Sequence, residues 1–327
     1  MPSFERLNRR YGPWFSLALG VATVAYVRRG LGFAPVAVGV LMLAWIGAAA
    51  LRRLTPVSAD PAEIAIARET RWRRLALPAA GSLVVGLWQN VLFYLLPLWW
   101  ASAVPGSWNV VFPAALAAMA FLSCFEQHWR AWVLERPIVH AAWSAVVLFA
   151  TLVPAALVLA APLRICLAVA AAIASLVAAI AVVSRISLGR VGRGLAVLAV
   201  TAAASALALC AAPLLPPVPV VRMASGAGGA VLERALVGAA EVFPAGTDRV
   251  YVWFAVAAPA HYRQAVRFEW YREGEPVGRA LETFVVGGRR EGFRTWSARA
   301  APASGRWRVD LLTDSSQLVA RETFLVQ

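Results

Sequence analysis

The character of this chain changes abruptly at Pro213. Before it run long apolar stretches punctuated by arginine clusters, and after it come alternating polar and apolar residues rich in Trp and Arg. Hydrophobic residues make up 61% of the 327 and charged residues only 15%, far more apolar surface than a water-soluble interior of this length can enclose. A bilayer is the natural sink for the first part. The second part has the pattern of a water-soluble β-domain.

Crossing a hydrocarbon core takes about 20 mostly apolar residues. Stretches approaching that length run from Pro13 to Val27, Leu31 to Leu51, Leu75 to Trp100, Trp108 to Phe125, Ile138 to Ala160, Leu163 to Val183 and Leu195 to Leu215. The expected fold class is therefore an α-helical polytopic membrane region of about seven spans, followed by a small all-β antiparallel sandwich. The expected domains are residues 1–215 for the membrane part, a Pro/Gly-rich linker at 216–230, and the sandwich at 231–327. Arg6, Arg9 and Arg10 resemble the basic start of a signal peptide, but no small-x-small cleavage site opens onto a polar chain, so the first span reads as retained.

The basic residues are all arginine, and their placement sets orientation. With the N-terminus in the cytoplasm, the inner loops hold clusters at Arg6 to Arg10, Arg52 to Arg74, Arg130 to Arg136 and Arg185 to Arg193, against Arg28, Arg29 and Arg164 outside. The expected location is the bacterial inner membrane, with the C-terminal domain periplasmic. In the inner loops, Asp60-Pro61-Ala62-Glu63 is a helix-start signature, and the helix it opens, through Arg74, reads as a topological anchor.

Ionisable side chains are nearly absent from the expected spans, which removes the usual signature of ion or proton transport. Gln89 and Asn90, followed by Pro97, are the most unusual intramembrane polar pair. Interhelical hydrogen bonding is their main reading, and a cavity lining beside a kink is the alternative. Ala170, Ala174 and Ala178, with Ala171, Ser175 and Ala179, form small-residue stripes that suit close helix packing or a homo-oligomer. Glu126, His128, Glu135 and His140 match no compact ligand spacing, and with Trp129 and Trp132 among them they read as an interfacial loop. No metal or cofactor is expected. Cys124, Cys166 and Cys210 read as buried apolar residues, and the external domain contains no cysteine.

After Pro213, Val266, Phe268 and Trp270 alternate with Arg267, Glu269 and Tyr271. Trp307, Val309 and Leu311 do the same with Arg306, Arg308 and Asp310. Further strands are expected near Ala235 to Val242, Val250 to Val256, Ala280 to Val286, Gly292 to Ala298 and Leu318 to Val326, with turns at Glu273-Gly274, Gly287-Gly288, Ser304-Gly305 and Asp314-Ser315. The blocks Val250-Tyr251-Val252-Trp253-Phe254, Phe268-Glu269-Trp270-Tyr271, Phe293-Arg294-Thr295-Trp296-Ser297 and Gly305-Arg306-Trp307-Arg308-Val309 closely resemble the bacterial domain of unknown function 2914, over Arg249 to Val326. Members often carry His where this chain has Phe268. The membrane half resembles the accompanying family of unknown function 5924. The resemblance implies an architecture and no established activity.

The aromatic-arginine blocks supply the candidate ligand-binding residues Arg294, Trp296, Arg306 and Arg308, whose indole and guanidinium groups suit carboxylates, phosphates or sugars. The competing reading is that Trp270, Trp296 and Trp307 fill a small core while arginines cover its rim. His261 reads as a solvated loop residue, and no catalytic residues are assigned because no G-x-S-x-G or paired-carboxylate motif is present. The expected function is a membrane protein whose external domain binds a partner protein or envelope polysaccharide, with the lipid bilayer as its other partner and nucleic acid excluded. A transporter or lipid-handling protein using Gln89 and Asn90, with a regulatory β-domain, is the alternative. A membrane-embedded enzyme using Glu126, His128 and His140 is a third.

Overall fold

The computed structural model describes residues 89–155 and 161–327, together with scattered positions between Trp14 and Gly39. Two compact units are present, Met1–Pro97 with Ala115–Val147, and Leu98–Ala114 with Leu148–Gln327.

The helices are Val111–Cys124 (α1), Glu126–Trp129 (α2), Pro137–Leu152 (α3), Leu163–Val183 (α4) and Arg190–Cys210 (α5), preceded by a helical stretch at 89–101. The expectation of about seven spans and an all-antiparallel sandwich is corrected by this architecture. Among the described residues only α4 and α5 are long and apolar enough to cross a bilayer, and the chain is mixed α/β with two sheets. The apolar stretch from Trp108 breaks at Phe125, where the short α2 and a π-helical turn at Arg130–Leu134 follow, leaving α1 with 14 residues. The stretch from Ile138 gives a 16-residue α3 that tightens into a 3-10 turn at Val153–Ala155, because Pro154 has no N–H with which to continue the helix. Apart from those scattered positions, the expected spans from Pro13 and Leu31 lie outside the described residues, as do the first part of the one from Leu75, the Asp60 helix start and residues 156–160.

The alanine-rich face of α4 packs on α5. Ala170, Ala171, Ala174, Ser175 and Ala179 are buried there, and the Ser175 hydroxyl reaches the Thr201 carbonyl at 3.5 Å. Small side chains let the two backbones approach, as in close-packed helix pairs generally. No residue of α5 is buried, and Leu198 and Leu207 are 66% and 70% exposed.

The strands are Val221–Leu232 (β1), Ala235–Ala239 (β2), Val242–Phe243 (β3), Arg249–Ala257 (β4), Arg263–Arg272 (β5), Glu275–Pro276 (β6), Leu281–Val286 (β7), Phe293–Ala300 (β8), Gly305–Thr313 (β9) and Leu318–Val326 (β10). One sheet has the order β2-β1-β4-β8, and the other has β3-β10-β9-β5-β6 with β7 also paired to β5. All pairs are antiparallel except β3 with β10. Period-two alternation puts Val250, Val252, Phe254 and Val256 of the first sheet against Val266, Phe268, Trp270, Trp307, Val309, Leu311 and Phe324 of the second, in one core. Trp270 and Trp307 meet edge to face at 6.2 Å, and the Trp270 indole N–H donates to the Ser297 hydroxyl at 3.0 Å.

Residues 216–230, expected as a linker, instead contain most of β1. Close approach favours glycine there: a Cβ on Gly226 or Gly228 would lie 2.8 Å from the Leu236 side chain folded back from β2, and at Gly228 also 2.8 Å from the Val237 carbonyl. Buried polar groups then fasten the sandwich to chain segments at the helix ends. Asn109 donates to the Leu318 carbonyl at 3.1 Å, and Gln317 donates to the carbonyls of Leu215 and Pro216. Gln264 accepts from the Leu163 N–H at 3.4 Å and from the Tyr262 hydroxyl at 3.0 Å, and donates to Asp314 at 2.7 Å. Burial, with a smaller effect of Cys166 and Asp314, pushes the Tyr262 hydroxyl far up, so it stays a neutral donor. These side chains are almost fully buried, so each hydrogen bond offsets a desolvation cost that would otherwise stand alone.

Candidate functional site

The outer face of the β2-β1-β4-β8 sheet carries an open tryptophan, whereas on the other sheet the more exposed Phe284, at 47%, lies under the Arg263 guanidinium 4.2 Å from its ring. On β8 the side chains of Thr295 and Ser297 are buried, so Arg294, Trp296 and Ala298 point outward. Trp296 is 38% exposed. Its direct neighbour across the strands is Trp253 of β4, itself opposite Gly226 of β1. The Trp253 indole N–H donates to the Arg234 carbonyl at 2.8 Å. Arg234 and Glu233 form the two-residue turn between β1 and β2, both at positive φ (65° and 49°), as a type I′ hairpin turn requires. Trp253 is thereby locked over the sheet, while Trp296 stays open. Arg294, two residues before Trp296 on the same face, pairs with the exposed Glu291 at 2.6 Å. The guanidinium retains further donors, because a single exposed pair is weakly held.

Arg306 and Arg308 lie on the outer face of the other sheet, away from Arg294 and Trp296 on the opposite side of the sandwich. The structure therefore does not unite the four residues in one site. Arg306 is exposed, whereas Arg308 is drawn into a continuous charge network. Arg267 pairs with Glu269 at 2.7 Å, and Glu269 accepts from the Tyr271 hydroxyl at 2.6 Å. The Arg308 guanidinium stacks 4.1 Å above the Tyr271 ring and lies 3.5 Å from Asp310. Asp310 takes two hydrogen bonds from Arg321, at 2.7 and 2.8 Å.

Burial by itself would raise the Glu269 carboxyl, but hydrogen bonds from Tyr271 and Arg267 outweigh it and hold the group below the usual carboxylate range. Burial, and then the Glu269 hydrogen bond, push the Tyr271 hydroxyl up. Most donors and acceptors in this network are spent on each other. That makes it largely a cover for the sheet, with Arg306 exposed and the Arg308 Nε making no hydrogen bond, whereas the Trp296 face sets an open indole beside Arg294.

Gln89 donates to the Cys124 thiol sulfur at 3.6 Å, an interhelical contact of the kind expected of a polar residue between apolar helices, while Asn90 is exposed. His128 stacks edge to face with Phe125 and Trp132. Among the described residues no group of three or more His, Cys, Asp or Glu is placed to hold a metal. His261 sits at positive φ (65°) in the β4–β5 turn and is exposed.

Sequence reasoning did not single out Trp253 as a site residue, although its place between the inward Val252 and Phe254 carries the signal. It also missed Gln264, Gln317 and Asn109. No local pattern marks those three, because their partners lie about 100 to 200 residues away.

Residues 263–326 match the family described as protein of unknown function (DUF2914). The match spans β5 to β10, which is the charge-covered sheet without β3, together with β8. This match does not extend to the helical part, and the resemblance of that part to the family of unknown function 5924 is not shown by it. No curated protein matches the chain.

Proposed function

We propose that this chain is a membrane-anchored binding protein of the bacterial inner membrane, in which the α4–α5 hairpin is the anchor and the outer face of the β2-β1-β4-β8 sheet binds an acidic envelope glycan. Three features support the anchor. Each helix has 21 residues, about 31 Å at 1.5 Å per residue, close to the thickness of a hydrocarbon core. The side chains of α5 are apolar and unburied, which in water would cost about 25 cal/mol per Å2 left exposed. The turn between the helices and the first turn of α5 carry Arg185, Arg190 and Arg193, which favours retention of this end in the cytoplasm and, with it, a periplasmic sandwich.

The observation that carries the binding reading is the exposed Trp296 indole beside Arg294 and the immobilised Trp253. An indole plane accepts the C–H face of a sugar ring, and the guanidinium supplies paired donors to a carboxylate. The test is co-sedimentation of the detergent-solubilised chain with insoluble peptidoglycan and with an acidic polysaccharide gel, for wild type, Trp296→Ala and Arg294→Ala. Each variant is expected to bind about tenfold more weakly, the size of one stacking or charge-assisted contact, with unchanged unfolding temperature. Equal binding by all three proteins would refute the site, and capture of a protein in place of a glycan would replace the ligand class.

A further inference from the structure

We infer that β8 is a docking edge for a second copy of this chain, joining two β2-β1-β4-β8 sheets through antiparallel β8–β8 pairing. β8 pairs with β4 on one side and ends the sheet on the other. Which of its backbone groups face the open side follows from the ladder. The Ala301 N–H donates to the Asp248 carbonyl at 2.8 Å, so Asp248 and Ala301 are a hydrogen-bonded pair just beyond the strands. Alternation then directs the N–H and C=O of Phe293, Thr295, Ser297 and Arg299 to β4, and those of Arg294, Trp296, Ala298 and Ala300 away from it. The Ala227 carbonyl accepting from Ala240, on the far side of β1, agrees with the same phase across the sheet.

Among the described residues no backbone hydrogen bond reaches the four outward-facing residues. Two of the devices that protect open edges are missing from β8, since it contains no proline and its pairing with β4 shows no bulge; Arg294 and Arg299 are its only charged residues. At eight residues it is also longer than the edge strands β2, β3 and β7, which have five, two and six.

The residues favour a second copy over an unrelated strand, because β8 is self-complementary in size and its arginines need not face each other. One two-fold register uses all four outward residues, placing Arg294 opposite Ala300 of the other copy and Trp296 opposite its Ala298. Each large side chain meets an alanine, and no arginine faces an arginine. The inward Arg299 falls opposite Thr295, and Ser297 meets itself at the axis. Each hydrogen-bonded pair exchanges two bonds. The two Trp296 faces then form one continuous surface, which goes beyond the binding reading above and does not depend on it.

The test combines light-scattering mass with amide hydrogen exchange on the full chain in detergent, at several concentrations. A dimer mass is expected, with the amides of Arg294, Trp296, Ala298 and Ala300 slowed at least tenfold and losing that protection on dilution. Ala298→Pro removes an outward N–H that β4 does not use, so it is expected to halve the mass and to leave the unfolding temperature of the sandwich within a few degrees of wild type. If Ala298→Pro misfolds, the concentration dependence in the wild-type chain decides alone. A wild-type monomer at all concentrations overturns the proposal. So does a dimer in which these four amides exchange as fast as in the diluted protein, which would place the contact elsewhere.

Discussion

Asp310 gives the sharpest test of how the charge-covered sheet is held. Its side chain is 6% exposed although it lies on an outward-facing strand position, because Arg321 and Arg308 close over it. The Asp310→Ala change removes two charge-assisted hydrogen bonds and leaves both guanidinium groups without their carboxylate. Breaking a fully buried pair costs about 3–5 kcal/mol. Here Arg321 and Arg308 remain 28% and 35% exposed, so water recovers part of that and the expected loss is about 2 kcal/mol. A double-mutant cycle with Arg321→Met isolates the pair, and at least about 1 kcal/mol of coupling is expected. The assay is chemical denaturation of the full chain followed by tryptophan fluorescence, since Trp270 and Trp307 lie in the adjoining core. A loss under about 0.5 kcal/mol for Asp310→Ala, with coupling near zero, would show that the network only decorates the sheet.

The neighbouring groups predict the pH response. Glu269 is held below its ordinary value of 4.5 in the folded chain, so its contribution is complete above pH 4.5 and is lost as pH falls through the lowered folded value. Tyr271 is raised above 10.0, so its contribution is complete below pH 10.0 and is lost as pH rises through the raised value. Unfolding temperature should fall on both limbs, with Glu269→Gln flattening the acid limb and Tyr271→Phe the alkaline one; limbs unchanged in the variants would refute the assignment. In β1, Gly228→Ala should cost about 2 kcal/mol, because its Cβ would meet the Val237 carbonyl as well as Leu236 at 2.8 Å. Gly226→Ala, which meets only the flexible Leu236 end, should cost under about 1 kcal/mol. Equal losses in a denaturation series would mean that the Val237 backbone yields as readily as the Leu236 side chain.

The sequence by itself determined where inward-facing strand residues fall. Val266, Phe268 and Trp270, and Trp307, Val309 and Leu311, alternate with polar residues because one strand face must leave water, and all six are buried. Glu273-Gly274 carried its own turn geometry, with positive φ at both residues. Apolar length likewise located α4 from Leu163 to Val183, since its composition alone disfavours contact with water. Composition did not locate the ends of α1 and α3, which depend on a break at Phe125 and on Pro154.

Only the tertiary structure decided the rest. β1 has no alternation to read, because its glycines and alanines are selected by Leu236 lying across them and by pairing with β4. Trp296 and Trp270 look alike in sequence, yet one is open and the other is in the core. The inner face of β8 is lined by Thr295 and Ser297, so hydrophobicity does not reveal which side of that strand is buried. Asp310 is buried because Arg321 of the neighbouring strand closes over it, and Gln264 and the amide N–H groups of Gln317 find their partners on distant chain segments. Local pattern reports the face a strand must hide from water; it carries no record of long-range partners, which form only when the whole chain has folded.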